Sequence, residues 1–138
     1  LQQYEIGSKC DAWVYAMVKD SVCKSAYNKA KVKPKHCVRY GNIITQFSEG
    51  HVKLDVDKNE VRETLNISKD LHPSTGVTTV HYLINKCNCE SLSLIGFDSM
   101  VNSNFYTNIN RAEQCHALEK EMIYLNYLSN TGKLKYEN

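Results

Sequence analysis

The chain has 138 residues, a formal net charge of +2 and 23% charged residues. This ordinary globular composition excludes a disordered chain, a collagen-like repeat and a coiled coil, and it predicts one domain over residues 1–138. The small net charge gives no bulk attraction to nucleic acid, and no apolar run approaches the roughly 20 residues that span a bilayer. We therefore expect neither a nucleic-acid partner nor a membrane span.

The first predicted element is a helix that begins near residue 11 and ends before Pro34, because Trp13, Met17 and their apolar neighbours recur at helical spacing. The hydrophobic pattern then changes to alternation, which is typical of half-buried strands. The alternating segments are residues 43–47, 52–56, 61–67, 77–84 and 91–97.

A second helix is predicted near the end of the chain. Asn110 and Glu113 form an N-cap signature, an apolar face continues to about Leu128, and Gly132 stops the helix before a polar tail of six residues. The order of elements predicts an α+β fold, in which an N-terminal and a C-terminal helix pack on an antiparallel sheet of about five strands.

The cysteine count predicts the compartment. There are six cysteines in a small chain, which favours three disulfides, a disulfide-stabilised domain and secretion. Cys87 and Cys89 are expected to bond different partners, of which Cys115 is a candidate. Together with His116 they could instead bind zinc, but a single residue between two ligands is shorter than the usual zinc spacing, so no metal is expected. Asn66-Ile67-Ser68 is a sequon, which predicts a glycoprotein.

The residues that could perform catalysis form no recognisable motif. There are five histidines, but none belongs to a nucleophile, metalloprotease or phosphate-loop motif. We therefore expect no enzyme, no catalytic residue and no cofactor. A secreted hydrolase remains an alternative, because a carboxylate pair, or two histidines and a lysine, can meet in one cleft from distant positions in the sequence.

Two surfaces are candidates for binding. Lys31, Lys33 and Lys35, here called the lysine stripe, follow Lys29 at alternating positions and would form one positive surface in an extended segment. That surface could bind an anionic glycan, or its lysines could protect a sheet edge from aggregation. Phe105 and Tyr106 lie in a polar loop, where they either anchor the loop to the core or contact a partner.

One stretch resembles a known family. Tyr27-Asn28 closes the predicted helix, and Gln46-Phe47-Ser48-Glu49-Gly50 stands before the strand at residues 51–56. This order is similar to the front half of the cystatin superfamily. The resemblance implies a cystatin-like scaffold whose hairpin, here Gln46 to Gly50, enters the cleft of a papain-like protease. The chain has Ser48 in place of the family's central valine, and it lacks the Pro-Trp pair of the second hairpin.

These observations favour a secreted, non-enzymatic binding protein that engages another macromolecule, such as a host or receptor protein. The predicted binding residues are Gln46, Phe47, Ser48, Glu49, Gly50, Lys31, Lys33, Lys35, Phe105 and Tyr106. The alternatives are a cysteine-protease inhibitor, a secreted hydrolase and a carrier of a small apolar ligand.

Overall fold

The computed structural model describes residues 10–15, 20–39, 51–53, 56–95 and 116–137. The chain divides into two compact units, unit 1 at residues 1–55 and unit 2 at residues 56–138. The single domain expected over residues 1–138 stays a prediction.

Unit 1 contains a parallel sheet of three strands in the order β1-β2-β3. Its elements are β1 (Ala12–Tyr15), α1 (Asp20–Lys29), β2 (His36–Arg39) and β3 (His51–Lys53). Trp13 pairs with Cys37, and Val38 pairs with Val52. Parallel neighbours need a crossover connection, and α1 lies in the connection between β1 and β2. Cys37 is fully buried, with Trp13 and Tyr27 packed against it.

Unit 2 contains three helices and one pair of parallel strands among its described residues. The elements are α2 (Lys58–Leu65), α3 (Thr75–Asn85), β4 (Leu92–Ile95), α4 (Leu118–Asn130) and β5 (Leu134–Glu137). Leu92 pairs with Leu134, and Leu94 pairs with Tyr136. The helix α4 lies in the connection between these two parallel strands.

All five elements of unit 2 contribute to one apolar core. Each buried valine, leucine or isoleucine side chain contributes about 1.5–3 kcal/mol relative to an exposed one. The buried members are Val61, Leu65, Val77, Val80, Ile84, Leu94, Leu125, Leu128 and Leu134.

The predicted antiparallel sheet of about five strands is wrong, although the α+β class agrees with the structure. The described strands form one three-stranded and one two-stranded sheet, and every pairing is parallel. The physical reason is connectivity, because β1–β2 and β4–β5 are each joined through a helix rather than a hairpin. The cystatin-like architecture that the resemblance implied is overturned with the antiparallel sheet.

Two predicted strands are helices. Residues 61–67 fall largely within α2, which begins because the side chain of Asp57 accepts a hydrogen bond from the Asn59 nitrogen at 2.8 Å. Residues 77–84 lie within α3, where the hydroxyl of Ser74 accepts from the Val77 nitrogen at 3.3 Å. Both caps satisfy backbone donors that a strand would have to pair elsewhere.

The two ends of the described chain also differ from prediction. Residues 12–15 form β1, so the first helix begins at Asp20 and not near residue 11. The expected polar tail contains β5, since Leu134 enters the core. The strand within 91–97 and the C-terminal helix are confirmed as β4 and α4. The predicted strand at 43–47 and the N-cap at Asn110 lie outside the described residues.

Candidate functional site

Two of the predicted binding segments lie outside the described residues. These are the segment from Gln46 to Gly50 and the pair Phe105 and Tyr106. A contact of either segment with a protease or another protein stays a prediction.

The lysine stripe is described, and it is not part of a strand. Its residues lie in the connection between α1 and β2. The Nζ atom of Lys33 donates to the carbonyl oxygens of Tyr27 and Asn28, 2.9 Å from the latter, and lies 4.8 Å from the Tyr27 ring centroid. Lys35 Nζ lies 2.9 Å from Asp11 Oδ1. Lys33 therefore binds the last carbonyls of α1, where a cation is favoured, and two lysines of the stripe already have intramolecular acceptors.

Two of the three exposed large apolar side chains among the described residues lie on α4, and the third is Ile95 of β4. Ile123 and Tyr127 follow each other by one helical turn, with 58% and 62% of their surfaces exposed. Leu125 and Leu128, on the opposite side of the helix, are buried in the core. The exposed positions of this helix follow one stripe, which we call the outer face of α4: Glu119, Lys120, Ile123, Asn126, Tyr127 and Asn130.

The binding residues predicted from the sequence do not include this surface. Tyr127 is of a residue type that is enriched at binding hot spots, which is one signal for it. Ile123 was missed, although the signal was available. It lies outside the apolar face that Leu118, Met122 and Leu125 define, and helical spacing therefore places its side chain away from the core.

A cluster of polar side chains surrounds the buried residue His81. Only 4% of this residue is exposed. Its Nε2 atom lies 3.1 Å from Glu60 Oε1, and its Nδ1 atom lies 3.1 Å from the Tyr124 hydroxyl. The amide of Asn85 is 3.2 Å from Nδ1, and Lys86 Nζ is 3.3 Å from Glu60 Oε2. The cluster thereby joins α2, α3 and α4.

The hydrogen bonds of this cluster determine where the His81 proton lies and how the pKa of Glu60 is shifted. An ionised carboxylate only accepts, so Nε2–H of His81 donates to Glu60 and Nδ1 accepts from the Tyr124 hydroxyl. The hydrogen bonds from His81 and Lys86 hold the pKa of Glu60 below its usual value of 4.5. Burial raises the pKa of Tyr124 above its usual value. Both nitrogens of His81 are engaged and its ring is buried, so this side chain connects the three helices.

The described cysteines carry free thiols. They are Cys10, Cys37, Cys87 and Cys89. Burial, followed by the neighbouring Asp11 charge, raises the pKa of the Cys10 thiol. The side chains of Cys23 and Cys115 lie outside the described residues. The structure therefore shows none of the three expected disulfides among the cysteines it describes, and secretion stays a prediction. In the described part of the chain, no group of three or more His, Cys, Asp or Glu side chains could hold a metal ion.

No protein family, curated protein or solved structure matches the chain. Of the helices described, none is long and apolar enough to cross a membrane.

Proposed function

We propose that this chain is a secreted, non-enzymatic protein that binds another protein through the outer face of α4. The observation that carries the proposal is the exposure of Ile123 and Tyr127 one turn apart, at 58% and 62%. Two large apolar side chains on adjacent turns lose little conformational entropy when a partner covers them, since the helix already orders their backbone.

The surroundings of this pair define the partner's chemistry. Glu119 and Lys120 lie before Ile123, and Asn126 and Asn130 lie beside and beyond it. An uncharged apolar centre with a polar border is the usual arrangement of a protein interface. The two charges of the border oppose each other, so charge does not select the partner. The partner should be a protein with an apolar groove that receives one face of a helix.

Other features of the chain support the remaining parts of the proposal. The sequon at Asn66 favours secretion. The non-enzymatic role is supported by His81, whose two ring nitrogens are committed to Glu60 and Tyr124. An anionic glycan at the lysine stripe would have to displace the contacts of Lys33 and Lys35, so the outer face of α4 is the better candidate.

The test compares retention of one partner by matched variants. The immobilised chain is exposed to extracellular fluid of its source, and retained proteins are compared with those retained by Ile123→Ser/Tyr127→Ser. A matched variant, Glu119→Gln/Asn126→Ser, changes the polar border and keeps the apolar pair. Thermal unfolding checks that all three proteins fold.

We expect one protein to be retained by the unchanged chain and by the border variant, and to be lost with the Ile123/Tyr127 variant. The proposal would be overturned if the Ile123→Ser/Tyr127→Ser variant retained the partner as well as the unchanged chain does. It would also be overturned if the unchanged chain retained no protein specifically. Stoichiometric inhibition of papain that is lost in Gly50→Trp would also overturn it, because the function would then lie in the segment from Gln46 to Gly50.

A further inference from the structure

Two of the described cysteines, Cys87 and Cys89, lie two positions apart in the loop between α3 and β4. This loop folds back onto the end of α3. The Cys87 nitrogen donates to the Tyr82 carbonyl oxygen at 3.2 Å, and the Cys89 nitrogen donates to the Leu83 carbonyl oxygen at 3.0 Å. Asn88, between the two cysteines, has a φ of 51°, in the left-handed region that asparagine enters more readily than most residues. The two cysteines therefore lie in a turn and not in an extended strand.

The turn changes which disulfide the backbone allows. In an extended strand, residues i and i+2 are about 6.6 Å apart and their side chains run parallel, so their Cβ atoms stay beyond the roughly 3.5–4.5 Å that a disulfide requires. A left-handed residue between them, the mirror image of a helical one, shortens the Cα separation to about 5.4 Å, which is near the usual value for a disulfide. The expectation that Cys87 and Cys89 bond different partners assumes the extended geometry, which this loop does not have.

The two cysteines differ in their access to solvent. Cys87 is exposed, whereas Cys89 is half-buried and its Sγ atom donates to the Ser91 carbonyl oxygen at 3.1 Å. An accessible cysteine reacts first with a reagent from solution, and a shielded neighbour then attacks the adduct. Neither cysteine belongs to the outer face of α4 or to the cluster around His81.

We propose that Cys87 and Cys89 form a reversible oxidation site that exchanges with a low-molecular-weight disulfide, such as oxidised glutathione. The Cys87 thiolate attacks one sulfur of the small disulfide, whose S–S bond breaks, and one small thiol leaves with a proton. The Cys89 thiolate then attacks Cys87 Sγ, which forms the Cys87–Cys89 bond and releases the second small thiol with the other proton. The two protein thiols are thereby oxidised to one disulfide, and the small disulfide is reduced to two thiols.

Trypsin separates this pair from the other cysteine of unit 2. Cleavage after Lys86 and Arg111 gives the peptide 87–111, which contains Cys87 and Cys89 and no other cysteine, whereas Cys115 falls in the peptide 112–120. The reduced full chain is equilibrated at increasing ratios of oxidised to reduced glutathione, the remaining thiols are alkylated with N-ethylmaleimide, and the digest is measured by mass spectrometry. We expect peptide 87–111 to pass from two alkyl groups to none, with the loss of two hydrogens. The change should reverse in excess reduced glutathione.

Two single variants separate the roles of the two thiols. Cys89→Ser removes the second nucleophile, so glutathione should remain attached to Cys87 as a mixed disulfide. Cys87→Ser leaves only the half-buried thiol, which should take up glutathione several times more slowly. A bond from either cysteine to Cys115 would overturn the proposal, as would a peptide 87–111 that loses two hydrogens at no glutathione ratio.

Substitutions of Asn88 test the turn itself. Asn88→Gly permits the left-handed conformation, so the disulfide should form as it does in the unchanged chain. Asn88→Val disfavours that conformation, because a β-branched residue is strained at positive φ, and the disulfide should need a glutathione ratio about tenfold more oxidising. Thermal unfolding checks that all variants fold. Equal disulfide formation in the glycine and valine variants would overturn the geometric basis of the proposal.

Discussion

Glu121 of α4 holds Ser74 at the start of α3 with both of its carboxylate oxygens. One oxygen lies 2.7 Å from the Ser74 nitrogen and the other 2.7 Å from the Ser74 hydroxyl. Both residues are buried. The hydroxyl also accepts from the Val77 nitrogen, so the carboxylate completes the N-cap of a neighbouring helix. A negative charge at this end is favoured by the helix dipole.

Replacement of Glu121 by alanine should destabilise unit 2. The substitution leaves the buried nitrogen of Ser74 without an acceptor, and the free energy of unfolding should fall by about 2–3 kcal/mol. Urea unfolding followed by circular dichroism measures the change. Glu119→Ala, at an exposed position of the same helix, should change stability by less than about 0.5 kcal/mol. Equal effects of the two substitutions would contradict a structural role for Glu121.

The stability of the chain should depend on the ionisation of Glu60. Its pKa is lower in the folded protein than the usual 4.5, because His81 and Lys86 donate hydrogen bonds to the carboxylate. The ionised carboxylate therefore stabilises the fold above its unfolded-state pKa, and this contribution disappears as the pH falls through the folded-state value. Glu60→Gln should be less stable than the unchanged chain at neutral pH, and the difference should shrink below about pH 4.5.

Urea unfolding of both proteins between neutral and acidic pH measures that difference. Glu119→Gln provides the control, since the carboxyl it removes is exposed on the outer face of α4. A stability difference for Glu60→Gln that is independent of pH would show that the carboxylate's charge is not what stabilises the cluster.

Truncation to alanine should lower the free energy of unfolding strongly at one apolar residue of α4 and very little at another close to it in sequence. Leu125 is buried in the core, so Leu125→Ala should lower the free energy of unfolding by about 2–5 kcal/mol through lost contacts and a cavity. Ile123 is 58% exposed, so Ile123→Ala should have little effect on stability. Thermal and urea unfolding test both. A large loss of stability in Ile123→Ala would mean that this side chain has a structural role, and the proposed binding surface would lose its anchor.

Asn66 should accept an N-linked glycan when the chain enters a secretory pathway. It is an exposed residue at the C-terminal end of α2, in the left-handed conformation with φ 54 and ψ 54, and Ile67 packs against the core behind it. Its sequon is the only Asn-x-Ser/Thr triplet in the sequence. Expression behind a leader peptide in eukaryotic cells should give one glycan by mass spectrometry, and Asn66→Gln and Ser68→Ala should abolish it. A chain secreted without the added mass would refute the expectation.

The sequence predicted α4 and β4 but not α2 and α3, for an identifiable reason. Val61 and Leu65 fit an alternating pattern as well as a helical one. Val77, Val80 and Ile84 follow helical spacing, but the many β-branched residues around them favoured a strand. The side-chain caps at Asp57 and Ser74 favour helices over strands in these two segments. Asp57 with Glu60 also matches a sequence pattern of helix starts, and that signal was available in the sequence.

The pairing of strands and the candidate sites depend on residues far apart in sequence. Nothing local in Leu92 or Leu134 indicates that they are parallel neighbours, because the alternation of apolar residues is the same in either orientation. For the same reason, the contacts of Glu60 with His81 and of Arg62 with His72 could not be read from spacing. The exposure of Tyr127 could be suspected from residue type, but only the packed helix shows which side faces solvent.

The pairing of β4 with β5 sets a condition on how unit 2 is made in the cell. During synthesis, Leu94 leaves the ribosome well before Leu134 and Tyr136. Until then β4 lacks the one neighbour it has among the described strands, and the core lacks Leu134, after first lacking Leu125 and Leu128 as well. Over that interval the nascent unit 2 is incompletely folded. The unpaired backbone groups and apolar side chains of β4 can then associate with other chains. Chaperone demand and losses to aggregation should therefore depend on how quickly translation proceeds from β4 to β5.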